Sequence, residues 1–86
     1  MPEAIAKLTN LQRLSLGDNQ LTAVPEAIAK LTNLQVLYLS GNQLTALPKE
    51  IAELTKLREL ELMGNQFSKE ERGRIKKLLP KCQVGF

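Results

Sequence analysis

Histidine and tryptophan are both absent from the 86 residues, and aromatic side chains make up only 3% of them. Without histidine the commonest general base and a common metal ligand are missing. The spacings Cys-x-x-Cys, His-Glu-x-x-His and Gly-x-Ser-x-Gly do not occur, and neither does a phosphate-binding glycine loop. An enzyme is therefore not expected, and no metal or cofactor is expected either. The single cysteine, Cys82, cannot close an intramolecular disulfide, so an oxidising compartment is not required and a cytoplasmic location is the default. No apolar run approaches the ~20 residues that cross a bilayer, and Met1-Pro2-Glu3-Ala4 lacks the basic and apolar blocks of a signal peptide, so no membrane partner is expected. With so few aromatics, the core must be aliphatic.

The formal charge of +3 invites a nucleic-acid reading until it is placed along the chain. Lys69, Arg72, Arg74, Lys76, Lys77 and Lys81 face only Glu70 and Glu71 in residues 69–81, so that segment carries +4 and the remainder −1. A solvated helix face accounts for the run, since no aromatics are interleaved for base stacking. Nucleic acid is not an expected partner.

What the chain has in abundance is repetition. Residues 8–30 and 31–53 agree at 15 of 23 positions, a third copy starts at Leu54, and residues 1–7 repeat the end of the first. Self-similarity at a fixed period of this length marks a stacked array, in which each unit buries its apolar face against its neighbours. Within each copy the spacing is L-x-x-L-x-L-x-x-N-x-L: Leu11, Leu14, Leu16, Asn19, Leu21; Leu34, Leu37, Leu39, Asn42, Leu44; Leu57, Leu60, Leu62, Asn65, Phe67. Three consecutive matches resemble the leucine-rich repeat family, and the L-P-x-x-I-x-x-L half resembles its bacterial-type members. The resemblance implies an α/β solenoid: a right-handed horseshoe segment with a short parallel sheet on the concave face and helices or helical turns on the convex face.

The residues point the same way unaided. In Leu14-Ser15-Leu16, Leu37-Tyr38-Leu39 and Leu60-Glu61-Leu62 the alternation has period two, so three short strands send leucines inward. After Pro25 and Pro48 the apolar spacing becomes helical, with proline expected at the first helical position. The amides of Asn19, Asn42 and Asn65 suit backbone groups where the chain turns out of each strand, a structural role. One domain is expected: a partial repeat (1–7), repeats at 8–30 and 31–53, a last repeat (54–67) and a cap (68–86).

In the cap, Ser68 followed by Glu71 predicts a capping box, and Ile75, Leu78 and Leu79 an apolar helical stripe ending before Pro80. The basic run then gives the terminal unit its polar outer face. Leu79, Cys82 and Val84 repeat the L-x-x-L-x-L spacing, which predicts a fourth strand with Cys82 in the place of Leu60, pointing inward as a small hydrophobe. This ending resembles the C-terminal caps of bacterial leucine-rich repeat proteins.

The outward strand positions define the candidate surface. Arg13, Val36 and Glu59 fall in one row and Ser15, Tyr38 and Glu61 in the next, with Met63 beside them. The resemblance makes the concave face the site for a protein partner, and Tyr38 is the expected anchor because aromatic residues dominate hot spots. Glu59 and Glu61 share a face, yet an open, solvated sheet would not drive their pKa values apart for catalysis. Because the chain starts in mid-repeat, it reads as a stretch of a longer receptor or scaffold, or as a consensus-like engineered building block that self-associates. On the second reading Leu14 and Leu16 mark an open sheet edge, and two copies would pair first strand to first strand as a two-fold dimer.

Overall fold

The computed structural model describes residues 7–86. Four three-residue strands, β1 (Arg13–Ser15), β2 (Val36–Tyr38), β3 (Glu59–Glu61) and β4 (Gln83–Gly85), form one parallel sheet in the order of the sequence. The first three lie one residue earlier than the Leu-x-Leu triplets predict, with the first leucine of the triplet at the centre: Leu14, Leu37 and Leu60 pair in register. The ladder still runs on past the strands, since the amides of Leu16, Leu39 and Leu62 donate to Tyr38, Glu61 and Gly85.

The outer segments Glu26–Lys30 and Lys49–Glu53 are single 3-10 turns. Their bonds run from Ile28 N–H to the Pro25 carbonyl and from Leu31 N–H to the Ile28 carbonyl, with Ile51, Pro48 and Leu54 repeating the pattern. Five residues are too few for a stable α-helix, and the tighter i→i+3 bond closes sooner. Proline is not the first helical residue here. Pro25 and Pro48 are the residues before it, extended at ψ 152° and 147°, where the fixed φ aims the chain outward and the carbonyl accepts the first bond.

Between sheet and 3-10 turns lies an aliphatic core. Ile28, Leu31, Leu34, Leu37, Leu39, Leu44, Ile51 and Leu60 are fully buried. Asn42 is the one polar side chain among the buried residues described. No helix among the described residues is long and apolar enough to cross a membrane.

Among the described residues one α-helix forms, α1 (Lys69–Leu78), packed beside the Lys49–Glu53 turn with Ile75 buried. Only half of the predicted capping box forms. Ser68 Oγ accepts the Glu71 amide at 3.1 Å, but the Glu71 carboxylate turns away to a more demanding partner. Its Oε2 accepts the Leu47 amide at 3.2 Å and pairs with Arg74 Nη1 at 2.7 Å, while the same Nη1 donates to the Leu47 carbonyl at 3.0 Å. Glu71 and Arg74 thus grip both polar atoms of one residue in the preceding repeat.

The fourth strand corrects the sequence reading. Leu60 pairs with Val84, not Cys82, and Gln83 and Gly85 pair with Glu59 and Glu61. The turns explain the shift. Leu11, Leu34 and Leu57 each donate their amide three residues back, to Leu8, Leu31 and Leu54, and Cys82 donates to Leu79 in the same way. Cys82 therefore stands where Leu57 stands, and the strand begins one residue sooner than in a full repeat. Phe86 then takes the place of Leu62 and meets Phe67 edge to face, 6.1 Å between ring centroids, under the guanidinium of Arg72 at 5.4 Å. The half-buried Cys82 thiol has its pKa raised, first by burial and then by the negative charge of Glu59, both of which disfavour the thiolate.

Candidate functional site: the open face of the sheet

Alternation in a strand places every second side chain on one face. With Leu14, Leu37 and Leu60 turned to the core, the flanking residues must face out. The register aligns Arg13, Val36, Glu59 and Gln83 in one row and Ser15, Tyr38, Glu61 and Gly85 in the next. Tyr38 is 36% and Met63, just beyond β3, 57% exposed, and large apolar surfaces left in water are what a partner can cover. Arg13, Ser15 and Glu59 are exposed; Val36 and Glu61 are half-buried.

The asparagines behind this face hold neighbouring repeats together. Asn42 Nδ2 donates to the carbonyls of Leu39 in its own repeat and Leu16 in the one before, at 2.9 and 3.0 Å. Its Oδ1 accepts the amides of Asn19 and Leu21, both at 3.0 Å. Asn65 repeats the arrangement one unit on, donating to Leu62 and Leu39 and accepting from Leu44. Asn19 differs: it is exposed, and among the described residues its side chain donates to the Gly17 carbonyl alone. The amides of Asn42 and Asn65 are engaged with backbone and turned away from the open face.

A second, exposed ladder was not read from the sequence. Lys56 Nζ donates to Asn33 Oδ1 at 2.9 Å, and Asn33 Nδ2 donates to the Thr9 carbonyl at 3.0 Å. The repeated Leu-Thr-Asn and Leu-Thr-Lys triplets were its only signal. Sequence reasoning also left out Gln83 and Gly85. With the strand slipped, they border Glu59 and Glu61, and together with Tyr38 and Val84 they line a shallow hollow of about 460 Å³. Among the described residues no group of three His, Cys, Asp or Glu side chains is placed to hold a metal ion.

The leucine-rich repeat model matches residues 9–67, more than half of the chain. The chain belongs to the leucine-rich repeat family. A leucine-rich repeat protein of Leptospira interrogans superposes on it at a TM-score of 0.97 with 51% identity, over 100% of this chain and 22% of that one. The Mex67:Mtr2 subunits of Chaetomium give a TM-score of 0.70 with 26% identity, over 95% of this chain and 65% of that one. An internalin of Listeria monocytogenes gives 0.65 with 22% identity, over 98% and 31%, a likeness of fold alone. A comparison with curated proteins found no match. This leucine-rich repeat chain spans about a fifth of the length of the Leptospira protein and less than two thirds of the other two. In such a solenoid the sheet lines the concave side, so the rows of Arg13 and Ser15 lie on the concave face and the 3-10 turns on the convex one.

Proposed function

We propose that this chain is a protein-interaction module that binds a partner through its concave sheet face. The observation that carries the reading is the pair of outward rows in register across the sheet, centred on exposed Tyr38, over a scaffold whose buried polar side chains, among the described residues, are all hydrogen-bonded. Family membership supports it, as does an open face better suited to a surface than to an enclosed substrate. Tyr38, Val36 and Met63 supply apolar contact, and Arg13, Ser15, Glu59 and Glu61 supply direction. Four strands ~4.8 Å apart make a face only ~15 to 20 Å wide, a few hundred Å² against the ~800 Å² each partner gives to a standard interface. High affinity would then need adjoining repeats.

The test is capture of a partner from lysate by the intact chain and by the Val36→Ala, Tyr38→Ala, Met63→Ala triple variant. We expect loss of the captured protein with an unchanged circular dichroism spectrum. Capture that ignores all three substitutions would move the site off the concave face.

A second reading, self-association through the first repeat, is favoured by one observation. Leu11, Leu14, Leu16 and Leu21 are only partly buried and Leu8 is 51% exposed, whereas Leu34, Leu37, Leu39 and Leu44 are fully buried. β1 is a sheet edge among the described residues. Two copies joined β1 to β1 would cover both ends with closed symmetry. Light scattering at high micromolar concentration would return twice the 9.6 kDa chain mass; a monomer would sink this reading.

A further inference from the structure

Charge on this molecule is divided. The chain carries +3 overall, yet the open face over β3 and β4 is acidic. Glu59 and Glu61 lie two apart on β3 and so share that face. Tyr38 is Glu61's register partner on one side, and Gly85 is its partner on the other. Among the described residues neither carboxylate takes part in an ion pair; the pair formed there is Glu71 with Arg74, in the cap. Gly85 is what lets Glu61 lie flat: a Cβ at that position would fall on the Glu61 Oε1 atom. The result is a hollow of about 460 Å³ lined by Tyr38, the carboxylate residues Glu59 and Glu61, and Gln83, Val84 and Gly85.

We propose that this hollow receives the guanidinium of an arginine side chain from a partner protein. The proposal rests on the reading of the concave face as an interaction surface and names the chemistry that face selects. A planar guanidinium can lay one side on the Tyr38 ring and fork toward a carboxylate, two contacts that a compact ammonium makes less well. Arg13 lies two strands away in the Glu59 row, ~10 Å at ordinary strand spacing, which leaves the carboxylates free and gives the face a positive and a negative end. An incoming arginine is therefore directed to the β3–β4 side.

The experiment is an NMR titration of the intact chain with acetyl-Gly-Arg-Gly-amide, read at the backbone amides of Tyr38, Glu59, Glu61 and Gly85. Its comparison is the same peptide with citrulline, which keeps the shape and removes the charge. We expect saturable shifts at these residues, with affinity lower by about tenfold for the citrulline peptide and for the Glu59→Gln, Glu61→Gln double variant, as befits a charge-assisted contact. Higher salt should weaken the arginine peptide alone. Equal shifts from both peptides at these residues would overturn the arginine assignment while leaving the concave face as the interaction surface. Absence of saturable shifts there would overturn it too, and the fate of the concave reading would then be decided by the triple variant's capture experiment. If the double variant fails to fold, the comparison of the two peptides on the intact chain still decides.

Discussion

The first repeat (8–30) and the second (31–53) agree at 15 of 23 positions, and yet the structure treats them differently. Leu37 is fully buried while Leu14, the same residue in the same place, is only partly covered. Asn42 bridges two repeats, whereas Asn19 bonds to one carbonyl two residues away. The backbone follows suit. Gly41 and Gly64 hold the left-handed position of their turns at φ 71° and 80°, while the first repeat places Asp18 there and adds a second positive φ at Gln20. Gln43 and Gln66, the counterparts of Gln20, instead donate to Leu21 and Leu44 of the repeat before. Position in the stack, more than sequence, decides what each residue contributes, as expected when units bury their faces only against neighbours.

The contrast is broken or sharpened most strongly at the leucines. Leu37→Ala should cost about 3 to 4 kcal/mol and Leu14→Ala about 1 to 2, because the cavity left at a fully enclosed site cannot be filled by water or collapse. Equal costs in urea denaturation would contradict the ranking. Farther along the stack α1 is latched to Leu47, and Arg74→Ala should cost about 1 to 2 kcal/mol by releasing the Leu47 carbonyl and freeing Glu71. Hydrogen exchange should then quicken at the Leu47 amide and leave Leu21 unaffected; exchange that quickens equally at both would make the latch global.

The left-handed turn position offers a smaller contrast. Gly41→Ala should cost about 1 kcal/mol or slightly more, since alanine is strained at positive φ and its Cβ would fall on the Asp18 carboxylate. Asp18→Gly should shift stability by less than about 0.5 kcal/mol, because aspartate tolerates this conformation. The smallest effect is kinetic. Alkylation of Cys82 by iodoacetamide at neutral pH should be slower in the folded chain than in urea, and Glu59→Gln should recover part of the rate by removing one cause of the raised pKa. Fast alkylation of the folded chain would place the thiol outside the core.

Much of this architecture is legible in the leucine spacing. Period two around Leu14, Leu37 and Leu60 locates the strands to within one residue, and it also identifies the outward rows, because a strand leaves a side chain only two directions. What escaped has a shared cause: it depends on partners distant in sequence. Glu71 has the spacing of a capping box, but a backbone amide 24 residues earlier competes for its carboxylate. The strand of the cap starts one residue early, so matching leucine spacing alone put Cys82 opposite Leu60 and concealed Gly85 beside Glu61. The turn from Leu79 to Cys82, equal in span to that from Leu54 to Leu57, was the available signal. Asn19 matches Asn42 in sequence but not in neighbours, which no motif can register.

That last pair gives the most direct test. Asn42→Ala and Asn19→Ala remove the same atoms from the same motif, one with bonds to two repeats and one without. Paired urea unfolding curves should show a loss of about 2 to 3 kcal/mol for Asn42→Ala, where buried backbone groups lose their partner, and below about 0.5 kcal/mol for Asn19→Ala at its exposed position. Losses of equal size, or an unchanged midpoint for Asn42→Ala, would contradict the claim that neighbours in the stack set the worth of each repeat.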